Sequence, residues 1–226
     1  MIPLKDRNPS KSVPFVNYLL IAANAAVFFY ELSLGPKLDA FYMNYGLVPG
    51  RYLDMVTHHS HIITRYLPFF TSMFIHGGWL HIIGNMWFLY IFGDNVEDMM
   101  GHRNYLLFYF ISGLAAAAAQ VFLSPTSNIP TIGASGAISG VLGAYLVMFP
   151  RAKIVTLLPI FFFFGIIDIS AILFIGFWFL IQFFSGIESL GQGTSGGIAW
   201  WAHVGGFLAG IVMVPFFKKR RPTVLA

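Results

Sequence analysis

Six apolar stretches follow one another along this 226-residue chain, and they limit its folding more than any single motif does. They run roughly Phe15–Leu34, Phe74–Gly93, Tyr105–Leu123, Ser135–Phe149, Ile167–Phe184 and Ile198–Phe217. Each approaches the ~20 residues that cross a bilayer core as a helix. Within lipid the backbone must satisfy its own polar groups, which leaves helices or a closed barrel. Charged residues make up 10% of the chain, against about 25% in soluble domains. The predicted fold class is therefore all-α, a polytopic bundle of six transmembrane helices. Short gaps between the stretches favour one membrane domain over 13–217, with a segment 1–12 before it and a basic tail 218–226 after it. The apolar run around Ala23-Asn24-Ala25 continues through Tyr30, so the first span is read as an uncleaved anchor. There are no cysteines, which excludes disulfides, thiolate metal sites and a cysteine nucleophile.

Loop charges orient the bundle. Lys5, Arg7, Lys11, Arg103, Arg151, Lys153, Lys218, Lys219, Arg220 and Arg221 fall on one side; only Lys37, Arg51 and Arg65 fall on the other. The positive-inside rule places both termini in the cytoplasm. The run Lys218–Arg221 reads as a topology anchor that touches anionic lipid, and nucleic acid is not an expected partner.

The fourth stretch is short for a full crossing, and Gly133-Ala134-Ser135-Gly136 stands at its head. The loop before it must dip below the membrane surface, which is tolerated only where protein or a water-filled cavity surrounds the backbone. Ser135 is thus expected in a hollow near the outer face. His203, one turn inside the sixth stretch, is expected at the same depth. A serine hydroxyl is a poor nucleophile unless a base takes its proton and donors hold the oxyanion that forms. Gly136 and Gly140 on the fourth span, with Gly206 and Gly210 on the sixth, have the spacing that lets helix backbones approach closely. Such packing would join hydroxyl and imidazole.

His81 and Asn85 lie four residues apart on one face of the second span. They fit two roles equally well: donors to an oxyanion, together with the Ser135 amide, or a hydrogen-bonding pair that joins helices.

His76-Gly-Gly-Trp-Leu-His81-Ile-Ile-Gly-Asn85, Gly133-Ala-Ser135-Gly136 and Ala202-His203-Val-Gly-Gly206-Phe-Leu-Ala-Gly210 together resemble the rhomboid family of intramembrane serine proteases in order and spacing. The resemblance implies a rhomboid-like fold and a serine endopeptidase. In it Ser135 is the nucleophile and His203 the general base, without an acidic third member. His81, Asn85 and Ser135 form the oxyanion hole, supported by Gly133 and His76. Glu97 and Gly101 resemble the family's structural motif after the second span. Single-span membrane proteins are the implied substrates, a lipid bilayer the implied medium, and no cofactor or metal is expected. By family analogy the movable wall is span five, with Phe161–Phe164 and Phe177-Trp178-Phe179 toward lipid. A prokaryotic cytoplasmic membrane is the expected location.

Two positions depart from the family pattern. Leu67-Pro68 stands where many members carry Trp-Arg in the outer loop, and Ser139 stands where some bacterial members carry a tyrosine that packs on the histidine. His58, His59 and His61 read as solvated interfacial residues rather than a zinc site. Asp168 is expected at the cytoplasmic mouth of span five in a structural role. A non-catalytic member of the same fold would lack the nucleophile or the base. A transporter would show repeats and several intramembrane charges, and neither appears.

Overall fold

The computed structural model describes residues 1–160, 163–192 and 198–219. Among them are strand β1 (Ile2–Asp6), helices α1 (Phe15–Ser33), α2 (Leu38–Tyr45), α3 (Pro49–Thr57), α4 (Ile62–Thr71), α5 (Trp79–Met100), α6 (His102–Leu123) and α7 (Ser135–Met148), strands β2 (Lys153–Ile160) and β3 (Phe163–Ser170), and helices α8 (Ala171–Gln192) and α9 (Trp200–Phe217). Among the described residues, four helices are long and apolar enough to cross a membrane: α1, α6, α8 over Ala171–Leu190, and α9. Helix α5 is 22 residues long but carries Asp94, Glu97 and Asp98 near its end. Helix α7 has 14 residues, about 21 Å at 1.5 Å per residue, short of a ~30 Å hydrocarbon core.

Helices α6, α7 and α9 form the centre. Their contact is possible because both helix faces are stripped to glycine. A Cβ on Gly206 would overlap the Gly136 carbonyl, and one on Gly210 would overlap the Gly140 carbonyl. Ala116 and Ser112 of α6 fill the third side, meeting the positions of Gly136 and Gly140. Around this seam Val141, Tyr145, Tyr105, Phe108 and Phe92 are fully buried. Lipid-facing positions, by contrast, keep large apolar side chains exposed, as at Phe122, Leu173, Val212 and Phe216.

The start of α1 is held by the end of α5. The first amides of a helix lack intrahelical acceptors, and here the fully buried Glu97 carboxylate supplies them: Val16 N–H donates at 2.9 Å and Asn17 N–H at 2.7 Å. The negative charge also suits the helix N-terminus. Gly101 ends α5 with φ of +80°, a conformation side-chain-bearing residues rarely adopt.

Some boundaries differ from the sequence expectation. The second helix starts at Trp79 rather than Phe74, because Ser72–Phe74 form a 3₁₀ turn ahead of Gly77-Gly78. The fifth starts at Ala171 rather than Ile167, because Ile167–Ser170 belong to β3. The strands form a small antiparallel sheet in the order β1-β2-β3. Ile2 faces Leu157, Asp6 faces Ile154, and Val155 faces Asp168. Asp168 sits near the end of β3, just ahead of α8, where the Arg7 guanidinium pairs with it at 2.9 Å. Phe163 and Phe164 are strand residues, not part of span five; Phe161, Phe162, Arg220 and Arg221 lie outside the described residues.

The contacts gather the basic loops at one end. Arg7 N–H donates to the Lys153 carbonyl, Lys11 N–H to Asp98, and Lys219 N–H to the Met99 carbonyl. Ser135, His81 and His203 stand near the N-terminal ends of α7, α5 and α9, at the opposite end.

Candidate active site

Ser135 opens α7, and the turn before it is shaped by Gly133, whose φ is +123°. The Gly133 amide is fixed to the Ser72 carbonyl at 2.8 Å. A Cβ at Gly133 would lie 2.6 Å from His81 Nε2 and 3.5 Å from Ser135 Oγ. The glycine thus leaves open a small volume bordered by the hydroxyl and an imidazole nitrogen. As the first helical residue, Ser135 has an amide with no intrahelical carbonyl to serve.

His203 comes from α9. Its Nε2 lies 2.7 Å from Ser135 Oγ. Both residues are partly buried. The Gly136–Gly206 contact one residue after Ser135 and three after His203 explains how two helices bring these side chains within reach.

His81 opens the first turns of α5. Its Nδ1 accepts from the Gly77 amide at 3.3 Å. A neutral imidazole has one N–H and one lone pair, so the proton resides on Nε2, the nitrogen beside Gly133. Asn85, one turn on, is buried, and its Nδ2 has no hydrogen-bond partner among the described residues. A buried donor left unpaired costs about 1–3 kcal/mol, so this amide is a donor awaiting an acceptor. His76 is fully buried, with its ring centroid 5.0 Å from that of His81. Its backbone is clamped: the N–H donates to the buried Glu31 carboxylate at 3.2 Å, and the carbonyl accepts from Tyr42 Oη at 3.1 Å.

Sequence reasoning missed the partner of His203 on its other side. Gln182 of α8 places Oε1 2.7 Å from His203 Nδ1. Its signal was available, since it is the one polar residue between Ser170 and Ser185. The rings of Trp178 and Trp200 lie 6.1 Å and 6.3 Å from the imidazole. Ser139 does not face His203; its hydroxyl donates to the Ser135 carbonyl at 2.6 Å. His58 pairs with Asp54, and His61 Nδ1 accepts from the Ile63 amide, so these two outer-loop histidines have separate partners.

A family model for the Rhomboid domain matches residues 64–220, well over half the chain. The chain belongs to the rhomboid family. It is 31% identical over 142 residues to Rhomboid protein 1, mitochondrial, of Saccharomyces cerevisiae, covering 61% of this chain and 37% of that protein. It is 34% identical over 100 residues to Presenilin-associated rhomboid-like protein A, mitochondrial, of Danio rerio, covering 43% of this chain and 26% of that one. Rhomboid-like protein 11, chloroplastic, of Arabidopsis thaliana is 30% identical over 118 residues, covering 52% and 40%. The matched stretch thus spans less than half the length of each of these relatives. Family membership makes the chain a multi-pass membrane protein with a rhomboid domain.

Proposed function

We propose that this rhomboid is an intramembrane serine endopeptidase that cleaves single-span membrane proteins near the outer membrane face. The observation that carries this reading is the 2.7 Å contact between Ser135 Oγ and His203 Nε2, a distance suited to proton transfer. Membership of a family that includes serine proteases supports it.

Ser135 Oγ attacks the scissile carbonyl while His203 Nε2 takes its proton. The oxyanion forms beside Gly133, where His81 Nε2–H, the unpaired Asn85 amide and the Ser135 backbone N–H are the donors. Preformed donors of this kind supply much of the rate, with one donor worth about 10²–10³ in kcat. His203 then gives the proton to the leaving amine, and an acyl-enzyme remains on Ser135. Water entering from the outer side attacks the acyl carbon while His203 takes its proton; the bond to Oγ then breaks and His203 returns that proton to Ser135 Oγ. A helical substrate hides its carbonyls in its own hydrogen bonds, so it must unwind locally, and helix-breaking or small residues near the cut favour that. Arg7, Lys11, Lys153 and Lys219 gather on one side of the described residues, the side that the positive-inside rule makes cytoplasmic. The relatives include mitochondrial and chloroplastic proteins and also a putative rhomboid protease of the bacterium Bacillus subtilis, so they do not single out the prokaryotic cytoplasmic membrane expected from the sequence.

The test uses detergent-purified protein, a fluorophosphonate probe and a panel of single-span substrates with product termini mapped by mass spectrometry. The wild type is expected to label and to cleave. Ser135→Ala is expected to do neither while keeping its thermal transition. Cleavage that persists in purified Ser135→Ala overturns the proposal.

A further inference from the structure

Proton transfer from Ser135 requires a lone pair on His203 Nε2. A neutral imidazole with that lone pair carries its proton on Nδ1. The other tautomer, with the proton on Nε2, would leave the serine without a base. Something must therefore hold the proton on Nδ1, and rhomboid-type chemistry on a dyad names no residue for it.

The candidate is 2.7 Å away. Gln182 Oε1 faces His203 Nδ1, while Gln182 Nε2 donates to the Trp178 carbonyl one helical turn earlier at 3.3 Å. This second bond settles which end of the carboxamide faces the ring. With the amide turned over, its oxygen would oppose the Trp178 carbonyl, acceptor against acceptor, whatever the tautomer of the ring. Only one orientation satisfies both contacts, and it offers the imidazole an acceptor. Gln182 is buried, so water does not compete for the bond.

We propose that Gln182 is a positioning residue that fixes the Nδ1–H tautomer of His203 and steadies the imidazolium formed when Ser135 attacks. The inference rests on the proteolytic reading above. The Nδ1 proton does not move: one proton passes from Oγ to Nε2, and the Nδ1–H bond to Oε1 strengthens as the ring becomes charged. The role parallels that of any group that orients a catalytic imidazole through its second nitrogen.

The position of this acceptor has a consequence. Helix α8 is the least enclosed of the four long apolar helices among the described residues, with 28% of its apolar stretch buried against 33–44% for the others. Leu173, Phe177, Leu180 and Phe184 face outward along it. The residue that sets the state of the base thus rides on the least buried of these helices. Displacing α8 removes Oε1 from Nδ1 and leaves the tautomer unset.

The experiment compares wild type, Gln182→Leu and Gln182→Glu in detergent with one cleaved substrate, reading kcat and KM separately across pH. Gln182→Leu is expected to lower kcat about 10- to 100-fold, the loss for a hydrogen bond to a charged group, with KM and the thermal transition little changed. Gln182→Glu places a carboxylate on Nδ1, and a nearby negative charge favours the protonated ring. The acid limb of its kcat/KM profile is expected to move up by about one pH unit or more. His81 is the other titratable group facing the ring, and its contribution is common to all three proteins. If Gln182 only joins α8 to α9, Gln182→Leu lowers the thermal transition while kcat and the acid limb of Gln182→Glu stay at wild-type values; that result overturns the inference and leaves the proteolytic reading standing. A wild type that neither labels nor cleaves defeats the proteolytic reading and this inference with it.

Discussion

Where α5 ends, Glu97 accepts two backbone amides of α1 and bonds His102, Asp6 accepts from Tyr145 and Asn95, and Asn17 donates to the Leu89 carbonyl while accepting from Tyr105. Where α5 begins, Asn85 Nδ2, His76 Nε2 and, on α9, Trp201 Nε1 are buried without partners among the described residues. One helix thus links a saturated end to an end with donors and acceptors left over. Sixteen residues separate His81 from Glu97, about 24 Å of helix. A low-dielectric interior strengthens made bonds and makes unmade ones costly. Folding alone therefore favours the arrangement at Glu97 and disfavours the one at Asn85. The contrast separates polar groups that hold the frame from polar groups left without a protein partner among the described residues.

The largest effect is expected at the open end. Asn85→Ala removes an Nδ2 donor that has no partner among the described residues and that is one donor to the proposed oxyanion. Its kcat is expected to fall about 10²–10³-fold, with KM close to wild type and the thermal transition unchanged or raised. Kinetics and differential scanning fluorimetry on the same preparation check this. Retained activity together with a lowered transition would make Asn85 a frame residue and erase the contrast.

At the saturated end the signature should be reversed. A carboxylate offers an acceptor to each of the Val16 and Asn17 amides. In Glu97→Gln one of those acceptors becomes an NH₂ facing an N–H. The expected loss is about 2 kcal/mol of stability, read as a lowered transition in detergent, with kcat of the folded fraction unchanged. A kcat loss at unchanged stability would show that the two ends are coupled.

Much of this was legible in the sequence. The charge-poor helices, the glycine pairs and the two polar residues on one face of α5 each follow from spacing and composition. The sheet was not legible, because Ile154–Ser170 is as apolar as the spans around it and periodicity alone does not distinguish a buried hairpin from part of a helix. β1 was hidden for another reason: its partner β2 lies about 150 residues away, and only the folded chain shows the pairing. Gln182 could be found as a lone amide in an apolar run. What could not be read was its pairing with His203, since the helical phase of α8 relative to α9 is set by packing. Glu31 is similar: a carboxylate near the end of a span reads as interfacial until Tyr42 and His76 are seen to close over it.

The smallest effect isolates a single group at the saturated end. Asp6 carries a carboxyl raised to about 6, chiefly by burial, with Asp94 adding repulsion and the Tyr145 bond opposing the shift. A carboxyl raised in the folded state binds its proton more tightly there than in the unfolded chain. Its contribution to stability is full below the ordinary carboxylate value near 3.8 and is lost as pH rises through about 6. Tyr145 Oη and Asn95 Nδ2 both donate to the same Asp6 oxygen, so the oxygen of Asp6→Asn accepts both bonds while the charge disappears. Wild-type stability is expected to decline between pH 4 and pH 6 relative to Asp6→Asn, and the two curves to run parallel above pH 7. Because Asp6 lies at the far end of α7 from Ser135, the cleavage rate of Asp6→Asn should match wild type at every pH tested. A changed rate would mean that the frame transmits its protonation state to the dyad through α7, and the two ends would no longer be separable.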